Sequence, residues 1–91
     1  MFNPLISIII PVYNGQSFLN RCFSTLEKQN YNNLEIIFID NNSNDNSKEI
    51  IQDYCKRKKS WKIINCLQQG PGFARNKGLN EAKGEYISFL D

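Results

Sequence analysis

An apolar run near the amino terminus is the most regular pattern in this chain. Residues 5–14 read LISIIIPVYN, with Leu or Ile at every position before Pro11 except Ser7. The run is rich in β-branched residues and much shorter than the roughly 20 residues that a membrane-spanning helix needs, so it predicts a buried strand inside a sheet. Pro11 and the sequence Tyr13-Asn14-Gly15 then turn the chain out at the strand's carboxyl end.

Helical and extended patterns alternate along the rest of the chain. Apolar residues at helical spacing predict helices over about residues 18–29, from residue 46 or 47 to 59, and over 73–82, and apolar runs predict strands over 34–39, 61–67 and 85–90. Ser17 is the expected N-cap of the first helix, Glu49 is placed to close a capping box in the second, and Gly84 suits the C′ position of the third.

The order βαβαβαβ, with short connections, predicts one α/β domain with a mostly parallel sheet and helices on its faces. Right-handed crossovers bring the carboxyl ends of all strands to one edge of the sheet, where ligands bind in open α/β sheets. The residues expected at this edge are 11–15, 40–45, 68–72 with the helix start that follows, and Asp91.

Composition and charge exclude several classes of protein. A chain of 91 residues suits one small domain, and a formal net charge of +2 gives no strong field for nucleic acid or an anionic membrane. Cys22, Cys55 and Cys66 are widely spaced in apolar surroundings and His is absent, so we interpret the cysteines as buried reduced thiols rather than zinc ligands or a disulfide framework. The sequence shows no signal peptide or spanning segment, and a cytoplasmic location is expected by default.

Three side chains at the predicted edge suit a nucleotide. Asp40 can accept a hydrogen bond from a base N–H or a ribose hydroxyl, Tyr13 can stack on a planar ring, and Arg75 can meet phosphate from the first turn of a helix. Each also has a structural alternative: a turn-forming or capping aspartate, an aromatic ring packed on the sheet edge, and a solvated arginine. The basic run 56–59 is interpreted as a solvated helix end. Because all four strand ends carry residues able to bind a ligand, we favour the ligand-binding interpretation.

Two other α/β classes fit the sequence less well. Gly70-Pro71-Gly72 begins like a dinucleotide-binding GxGxxG motif, but Arg75 takes the place of the third glycine and the segment follows the third predicted strand rather than the first. A receiver-type phospho-acceptor domain needs acidic residues after the first strand to hold magnesium, where this chain has the sequence PVYN.

Three segments, SIIIPVYNG, EIIFIDNNSND and GPGFARNKGLNEAKGEYISFLD, occur in this order and resemble the amino-terminal half of the family 2 glycosyltransferases over nearly all of the chain. The resemblance implies a Rossmann-like GT-A nucleotide-binding half. It also implies an inverting enzyme that transfers a sugar from a nucleoside-diphosphate sugar, with UDP-sugar favoured, to an acceptor hydroxyl. A divalent metal, manganese or magnesium, and a role in cell-surface polysaccharide biosynthesis are further implications. The donor sugar, the base and the acceptor, whether saccharide, lipid-linked or protein, stay open.

The nucleotide-binding positions of the family fall on residues at all four strand ends. They are Pro11, Val12, Tyr13, Asn14, Asp40, Asn41, Gly70, Ala74, Arg75, Asn76 and Asp91. Asn41 stands where the family usually has the second of two acidic residues, so the contact to the base is expected to differ. Asp91 corresponds to the first carboxylate of the family's Asp-x-Asp metal motif, and the partner carboxylate and the general base are expected further along the chain.

We therefore expect residues 1–91 to be a single domain, the amino-terminal sugar-nucleotide-binding part of a longer glycosyltransferase, truncated at Asp91 and inactive alone. The expected location is cytoplasmic, including peripheral attachment at the inner face of the membrane. Apolar surface left uncovered beside the last strand predicts marginal stability or self-association. The alternatives are a non-catalytic nucleotide-binding or interaction module that uses the same edge, and a structural domain whose edge binds nothing.

Overall fold

Strands and helices alternate along the whole of residues 2–90, which are the residues that the computed structural model describes. The strands are β1 (Ile6–Val12), β2 (Leu34–Asp40), β3 (Trp61–Asn65) and β4 (Tyr86–Phe89). The helices are α1 (Leu19–Glu27), α2 (Ser47–Cys55) and α3 (Pro71–Glu81). This order confirms the predicted sequence of elements.

The described strands form one parallel sheet in the order β3-β2-β1-β4. β1 pairs with β2 along its full length, from Ile6 opposite Leu34 to Val12 opposite Asp40, whereas β4 pairs only with residues 6–9 of β1. A helix connects each strand to the next, as parallel pairing requires. The first apolar run is therefore an interior strand, and the carboxyl ends of β1 and β2 lie side by side.

Helices cover both faces of the sheet. α1 and α2 pack on one face, where Phe23 and Ile51 join Phe38 of β2 in a buried cluster. α3 packs on the other face, where Ala74 contacts a cluster that includes Ile9 of β1. The predicted α/β class, a parallel sheet between two helical layers, is confirmed.

Small residues let α3 lie close to the sheet. The buried residues of α3 are Ala74 and Gly78, and a Cβ added to Gly78 would lie only 2.4 Å from Cγ2 of Ile9. Ile9 is fully buried and β-branched, so its side chain has no room to move aside. This close approach explains a glycine inside a helix, where it costs about 1 kcal/mol relative to alanine.

The predicted ends of the first two helices need correction. α1 has Phe18 rather than Ser17 at its N-cap and shows no side-chain cap bond. α2 begins at Ser47, one of the two predicted starts, but Glu49 closes no capping box. The N–H of Asn46, which the box would need, instead donates to Oε1 of Gln16 at 3.1 Å. Both helices also end earlier than predicted, at Glu27 and Cys55.

The boundaries of the third helix differ as well. α3 begins at Pro71, two residues before the predicted start, because a proline without an N–H suits the first turn of a helix. Gly84 is not its C′ residue, since the helix ends at Glu81 and the following Ala82 is extended. The N–H of Gly84 instead donates to Oγ of Ser7 at 2.9 Å.

The three cysteines are free thiols, as predicted, and Cys55 is only partly buried. Burial raises the pKa of Cys22, and it raises the pKa of Cys55 to about 11, so both side chains are protonated at neutral pH.

β4 lies at an edge of the sheet and leaves large side chains exposed. Tyr86, Ile87 and Phe89 all keep more than a third of their surface in solvent. This agrees with the expected apolar surface beside the last strand, and self-association stays a prediction.

A polar network at the amino ends of the strands holds the chain that enters β4. Ser7 donates to the Glu35 carboxylate at 2.7 Å, the N–H of Lys83 donates to the same oxygen at 2.9 Å, and Nζ of Lys62 lies 3.4 Å from the other oxygen. Burial alone would raise the pKa of Glu35. The Lys83 N–H, the Ser7 hydroxyl and the Lys62 ammonium outweigh burial and hold this pKa below its ordinary value.

Gly78→Ala is expected to lower the free energy of unfolding by about 1–3 kcal/mol, because the added methyl group overpacks the contact with Ile9. Gly72→Ala is the matched control in the same helix, since a Cβ there meets nothing within 4 Å, and it should stabilise the protein by up to about 1 kcal/mol. Urea unfolding of both variants measures the two effects. Equal effects of the two substitutions would contradict the close packing of α3.

The Glu35 network should make stability depend on pH. Because the folded-state pKa is lowered, the stabilisation by this carboxylate is fully present above the ordinary value of 4.5 and is lost as the pH falls through the folded-state pKa. Glu35→Gln removes this titration, so its deficit in unfolding free energy should shrink as the pH falls below 4.5. Urea unfolding of both proteins between about pH 6 and pH 3 tests this; a constant difference would refute it.

Candidate functional site

A cleft of about 600 Å³ opens at the carboxyl ends of β1 and β2, beside the start of α3. Its volume lies in the range of small-molecule sites. The lining residues come from both strand ends, the loop after β1 and the loop that leads into α3. They are Pro11, Val12, Tyr13, Phe18, Asn41, Gln69, Gly70, Pro71 and Arg75.

Most of the residues that the sequence assigned to a nucleotide line this cleft. Those that do are Pro11, Val12, Tyr13, Asn41, Gly70 and Arg75. Ala74 is instead fully buried against the sheet, and Asn76 lines a separate groove on the outer side of α3. Asp91 lies outside the described residues.

Phe18, Gln69 and Pro71 also line the cleft. Gln69 and Pro71 lie in the segment 68–72 that was expected at this edge, whereas the sequence did not indicate Phe18. Phe18 was hard to find because an aromatic residue before a helix is normally assigned to the core. A Cβ on Gly15 would lie 2.0 Å from Cε1 of Phe18. The missing side chain of Gly15 therefore makes room for the Phe18 ring. A glycine three residues before the aromatic residue was the sequence feature that could have indicated the position of the ring.

Tyr13 and Arg75 supply the aromatic and cationic groups of the cleft. Tyr13 is half exposed, which leaves ring surface available for stacking. Since α3 begins at Pro71, Arg75 is the fifth helical residue and opens the second turn rather than lying in the first. Its guanidinium can form paired hydrogen bonds to phosphate.

The loop after β2 holds the loop after β1 through side chains that bind backbone N–H groups. Gly15 N–H donates to Oγ of Ser47 at 2.9 Å, and this bond is buried. Asn14 N–H donates to Oγ of Ser43 at 3.0 Å, and Oδ1 of Asn14 accepts from Asn44 N–H at 2.7 Å. The side chain of Asn14 is thus used to join the loops, which accounts for its absence from the cleft lining.

Asp45 completes this contact between the two loops. Its carboxylate accepts hydrogen bonds from the hydroxyl and N–H of Ser47 and from the N–H of Gln16. The Ser47 hydroxyl is the largest contributor, and together these donors hold the pKa of Asp45 below its ordinary value despite desolvation. The segment 43–47 is therefore ordered by bonds inside the protein.

Asp40 ends β2 with one carboxylate oxygen unsatisfied. The residue is 3% exposed and lies opposite Val12, a lining residue of the cleft. Its Oδ2 accepts from the N–H of Ser43 at 3.3 Å, while Oδ1 is buried without a hydrogen-bond partner among residues 2–90. A buried acceptor without a donor is costly, so a ligand N–H or O–H would be bound favourably there. Asp40 thus acts as a turn former through one oxygen, and its other oxygen is able to accept a hydrogen bond from a ligand.

Asn41 lines the cleft, but its carboxamide bonds to the backbone of residues 66–70. Both N–H donors of the carboxamide are therefore engaged within the protein, and a direct contact to a base would use the second lone pair of Oδ1.

Within residues 2–90, no group of three or more Asp, Glu, His or Cys side chains is arranged to hold a metal ion. The predicted ligand, Asp91, is outside that range. None of the helices in this part of the chain has the length and apolar character to cross a membrane.

Comparison with known proteins identifies the family. The model of glycosyl transferase family 2 matches residues 7–91. A glycosyltransferase of Haemophilus influenzae, described as uncharacterized, is 47% identical over 89 residues, which are 97% of this chain and 36% of that protein. This chain belongs to glycosyltransferase family 2.

Solved structures share the fold. S. aureus TarS 1-349 in complex with UDP has a TM-score of 0.87 and 30% identity, and the match covers 96% of this chain and 27% of that one. The mannosyltransferase PcManGT from Pyrobaculum calidifontis, in complex with GDP-Man and Mn2+, also has a TM-score of 0.87, at 21% identity and with the same coverage. The GT-A fold that the resemblance implied is confirmed. The chain spans only about a quarter to a third of the length of the curated relatives it matches, 36%, 26% and 26% for the first three.

Ser47→Ala is expected to lower the free energy of unfolding by about 1–3 kcal/mol, because it leaves the buried N–H of Gly15 without an acceptor. Ser43→Ala is the matched control, since the Asn14 N–H that it releases is exposed and can bond to water. Its cost should stay below about 0.5 kcal/mol. Chemical denaturation of both variants tests the difference; equal costs would contradict the buried contact.

Proposed function

We propose that this member of glycosyltransferase family 2 is the sugar-nucleotide-binding part of an inverting glycosyltransferase. The cleft at the carboxyl ends of β1 and β2 carries the proposal, because it combines an exposed aromatic ring, a guanidinium group and, beside it, a buried acceptor without a partner. These are the groups that a base, a diphosphate and an N–H donor on the base require. Family membership makes a nucleoside-diphosphate sugar the ligand that this arrangement fits best.

The base is assigned to the end of β2. Oδ1 of Asp40 accepts from a ring N–H of the base, and Tyr13 stacks on the ring. Uracil, thymine and guanine carry such a ring N–H, whereas cytosine and adenine do not. We favour UDP among these, and the structure of S. aureus TarS with UDP, at 30% identity, supports that choice.

The diphosphate is assigned to Arg75 and the Gly70-Pro71 segment before it. Gly70 has a φ of 140°, a conformation suited to glycine, and brings backbone into the cleft wall at the start of α3. The amino end of this helix and the guanidinium both favour negative charge.

The reaction proposed for the longer protein is direct displacement at the anomeric carbon. A carboxylate base outside these 91 residues takes the proton from the acceptor hydroxyl, and attack opposite the leaving diphosphate inverts the configuration. A divalent metal, manganese or magnesium, would stabilise the negative charge of the leaving group. The metal is assigned to Asp91 and a partner carboxylate of the longer protein, the positions that the family resemblance implies.

We propose that the longer enzyme acts at the cytoplasmic side of the membrane in cell-surface polysaccharide synthesis. Its acceptor is not assigned. The 91 residues alone are expected to bind nucleotide weakly and to transfer no sugar, because they lack the second metal-binding carboxylate and the general base.

Titration with nucleoside diphosphates, followed by amide NMR shifts, tests the proposed site. UDP should shift the amides of Tyr13, Asp40 and Arg75, and CDP and ADP should bind more weakly because they lack the ring N–H for Asp40. Arg75→Ala should weaken UDP binding by about tenfold or more, the effect of losing a charge-assisted hydrogen bond to phosphate. Adding manganese to parallel samples shows whether these residues alone respond to the metal.

Lys77→Ala is the control, since Lys77 is an exposed cation on the same helix that lines the outer groove instead of the cleft. Equal weakening by the two substitutions would mean that bulk charge, not the cleft, binds the phosphate. Absence of shifts with every nucleotide would refute a preformed site in this chain, and sugar transfer by the 91 residues would refute their inactivity. Binding without transfer by a longer chain would favour the non-catalytic module.

A further inference from the structure

The carboxamide of Asn41 makes three hydrogen bonds inside the protein. Nδ2 donates to the carbonyl oxygens of Cys66 at 3.2 Å and Gln68 at 2.7 Å, and Oδ1 accepts from the N–H of Gly70 at 2.9 Å. A carboxamide has two N–H donors, so both are engaged. The residue is only 5% exposed, which makes these bonds more valuable than bonds at the surface.

The backbone of Asn41 joins the same region to the centre of the sheet. Its N–H donates to the carbonyl oxygen of Val12 at 2.8 Å, and the N–H of Cys66 donates to the carbonyl oxygen of Asp40 at 2.9 Å. Asn41 therefore connects β1 and β2 to the loop 66–70. That loop leads directly into α3, whose first residue, Pro71, lines the cleft.

An aspartate at position 41 would lose the two hydrogen bonds that the Asn41 side chain donates. Its carboxylate could still accept from Gly70, but it has no donor for the two carbonyl oxygens that face Nδ2. The carbonyl oxygens of Cys66 and Gln68 would then face the negative charge of a buried carboxylate. The resemblance leads one to expect an acid at this position. The amide that stands there instead supplies the two donors that the loop 66–70 requires.

We propose that Asn41 is a positioning residue of the cleft. Its carboxamide fixes the loop 66–70, and through the loop it sets the wall formed by Gly70, Pro71 and Arg75, while the side chain itself does not bind the base. The effect on ligand affinity rests on the proposed nucleotide site, whereas the effect on the loop does not.

Asn41→Asp tests the role in the free protein because donation by a carboxyl group depends on pH. Near pH 7 the carboxylate should repel the carbonyl oxygens of Cys66 and Gln68 and displace the loop, which breaks the bond that the carboxylate could otherwise accept from Gly70. The Gly70 amide should therefore lose at least about tenfold of its hydrogen-exchange protection. On acidification the protonated carboxyl donates one hydrogen bond, and protection should return. The midpoint should lie above the ordinary aspartate value of about 3.9, because burial disfavours the charged form.

Asn42→Asp is the matched control. It adds the same charge at the adjacent, exposed position, whose φ of 63° an aspartate tolerates. Asn42 contacts the loop through its backbone carbonyl, which accepts from Nε2 of Gln69 at 3.1 Å and which the substitution leaves in place. The Gly70 amide should keep wild-type protection in this variant at every pH between about 4.5 and 7.5. Wild-type protection of Gly70 in folded Asn41→Asp at pH 7 would overturn the proposal.

Asn41→Ala and the wild-type protein keep the test decisive if Asn41→Asp does not fold. The alanine variant should lose Gly70 protection at every pH, without recovery on acidification. In the wild type, the carboxamide protons of Asn41 should exchange slowly and show NOE contacts to residues 66–70. Exchange as fast as that of the exposed Asn32 carboxamide would refute the role of Asn41 without any variant.

UDP affinity, expressed as the ratio of variant to wild type at each pH, tests the link to the cleft. This ratio cancels the titration of the ligand's own phosphate. Asn41→Asp should bind about tenfold more weakly at pH 7 and recover in acid, and Asn41→Ala should bind weakly throughout. If the loop opens but UDP affinity is unchanged, the loop is not a wall of the nucleotide site, and the proposed effect of Asn41 on ligand affinity is wrong. If the wild type binds no nucleoside diphosphate, the proposed nucleotide site fails, while the Gly70 readout still decides the role of Asn41.

Discussion

The full-length parallel pairing of β1 with β2 is the constraint on which the rest of this structure depends. It places Val12 opposite Asp40, so the chain leaves both strands at the same height and the two following loops emerge side by side. Because both strands lie inside the sheet, neither can slip in register without moving buried residues such as Ile9 and Phe38 toward the wrong face. The position of the cleft follows from this register.

The two loops then stabilise each other through hydrogen bonds between side chains and backbone. Ser47 and Asp45 satisfy N–H groups of the loop after β1, and Asn41 satisfies groups of the loop before α3. Most polar side chains after β2 are therefore used to order the site rather than to bind a ligand. Among the buried side-chain nitrogen and oxygen atoms of residues 2–90, Oδ1 of Asp40 is the one without a hydrogen-bond partner. Such prior ordering lowers the entropic cost of binding a ligand.

The amino and carboxyl ends of the strands have different roles. At the amino ends, Glu35 and Ser7 hold the segment that enters β4 through short hydrogen bonds. At the carboxyl ends, aromatic, cationic and acidic groups lie at or beside an open cleft. α3 serves both ends, because its small inner residues let it pack closely while its first residues form part of the cleft wall.

The sequence by itself determined the class of fold, the order of elements and the edge of the sheet that carries the site. Buried strands such as β1 need long β-branched runs, and helices need periodic apolar positions, so both are visible in local patterns. Tyr13, Gly70 and Arg75 could be assigned to the cleft from the same local patterns, since Tyr13 directly follows β1, Gly70 directly precedes α3 and Arg75 lies near the start of that helix. Only the tertiary structure decided the strand order, the lining role of Phe18 and the use of Asn14, Asn41 and Ser47 as links between loops. Those three links join residues 25 to 32 positions apart, and such partners are brought together by helical crossovers that no local pattern records.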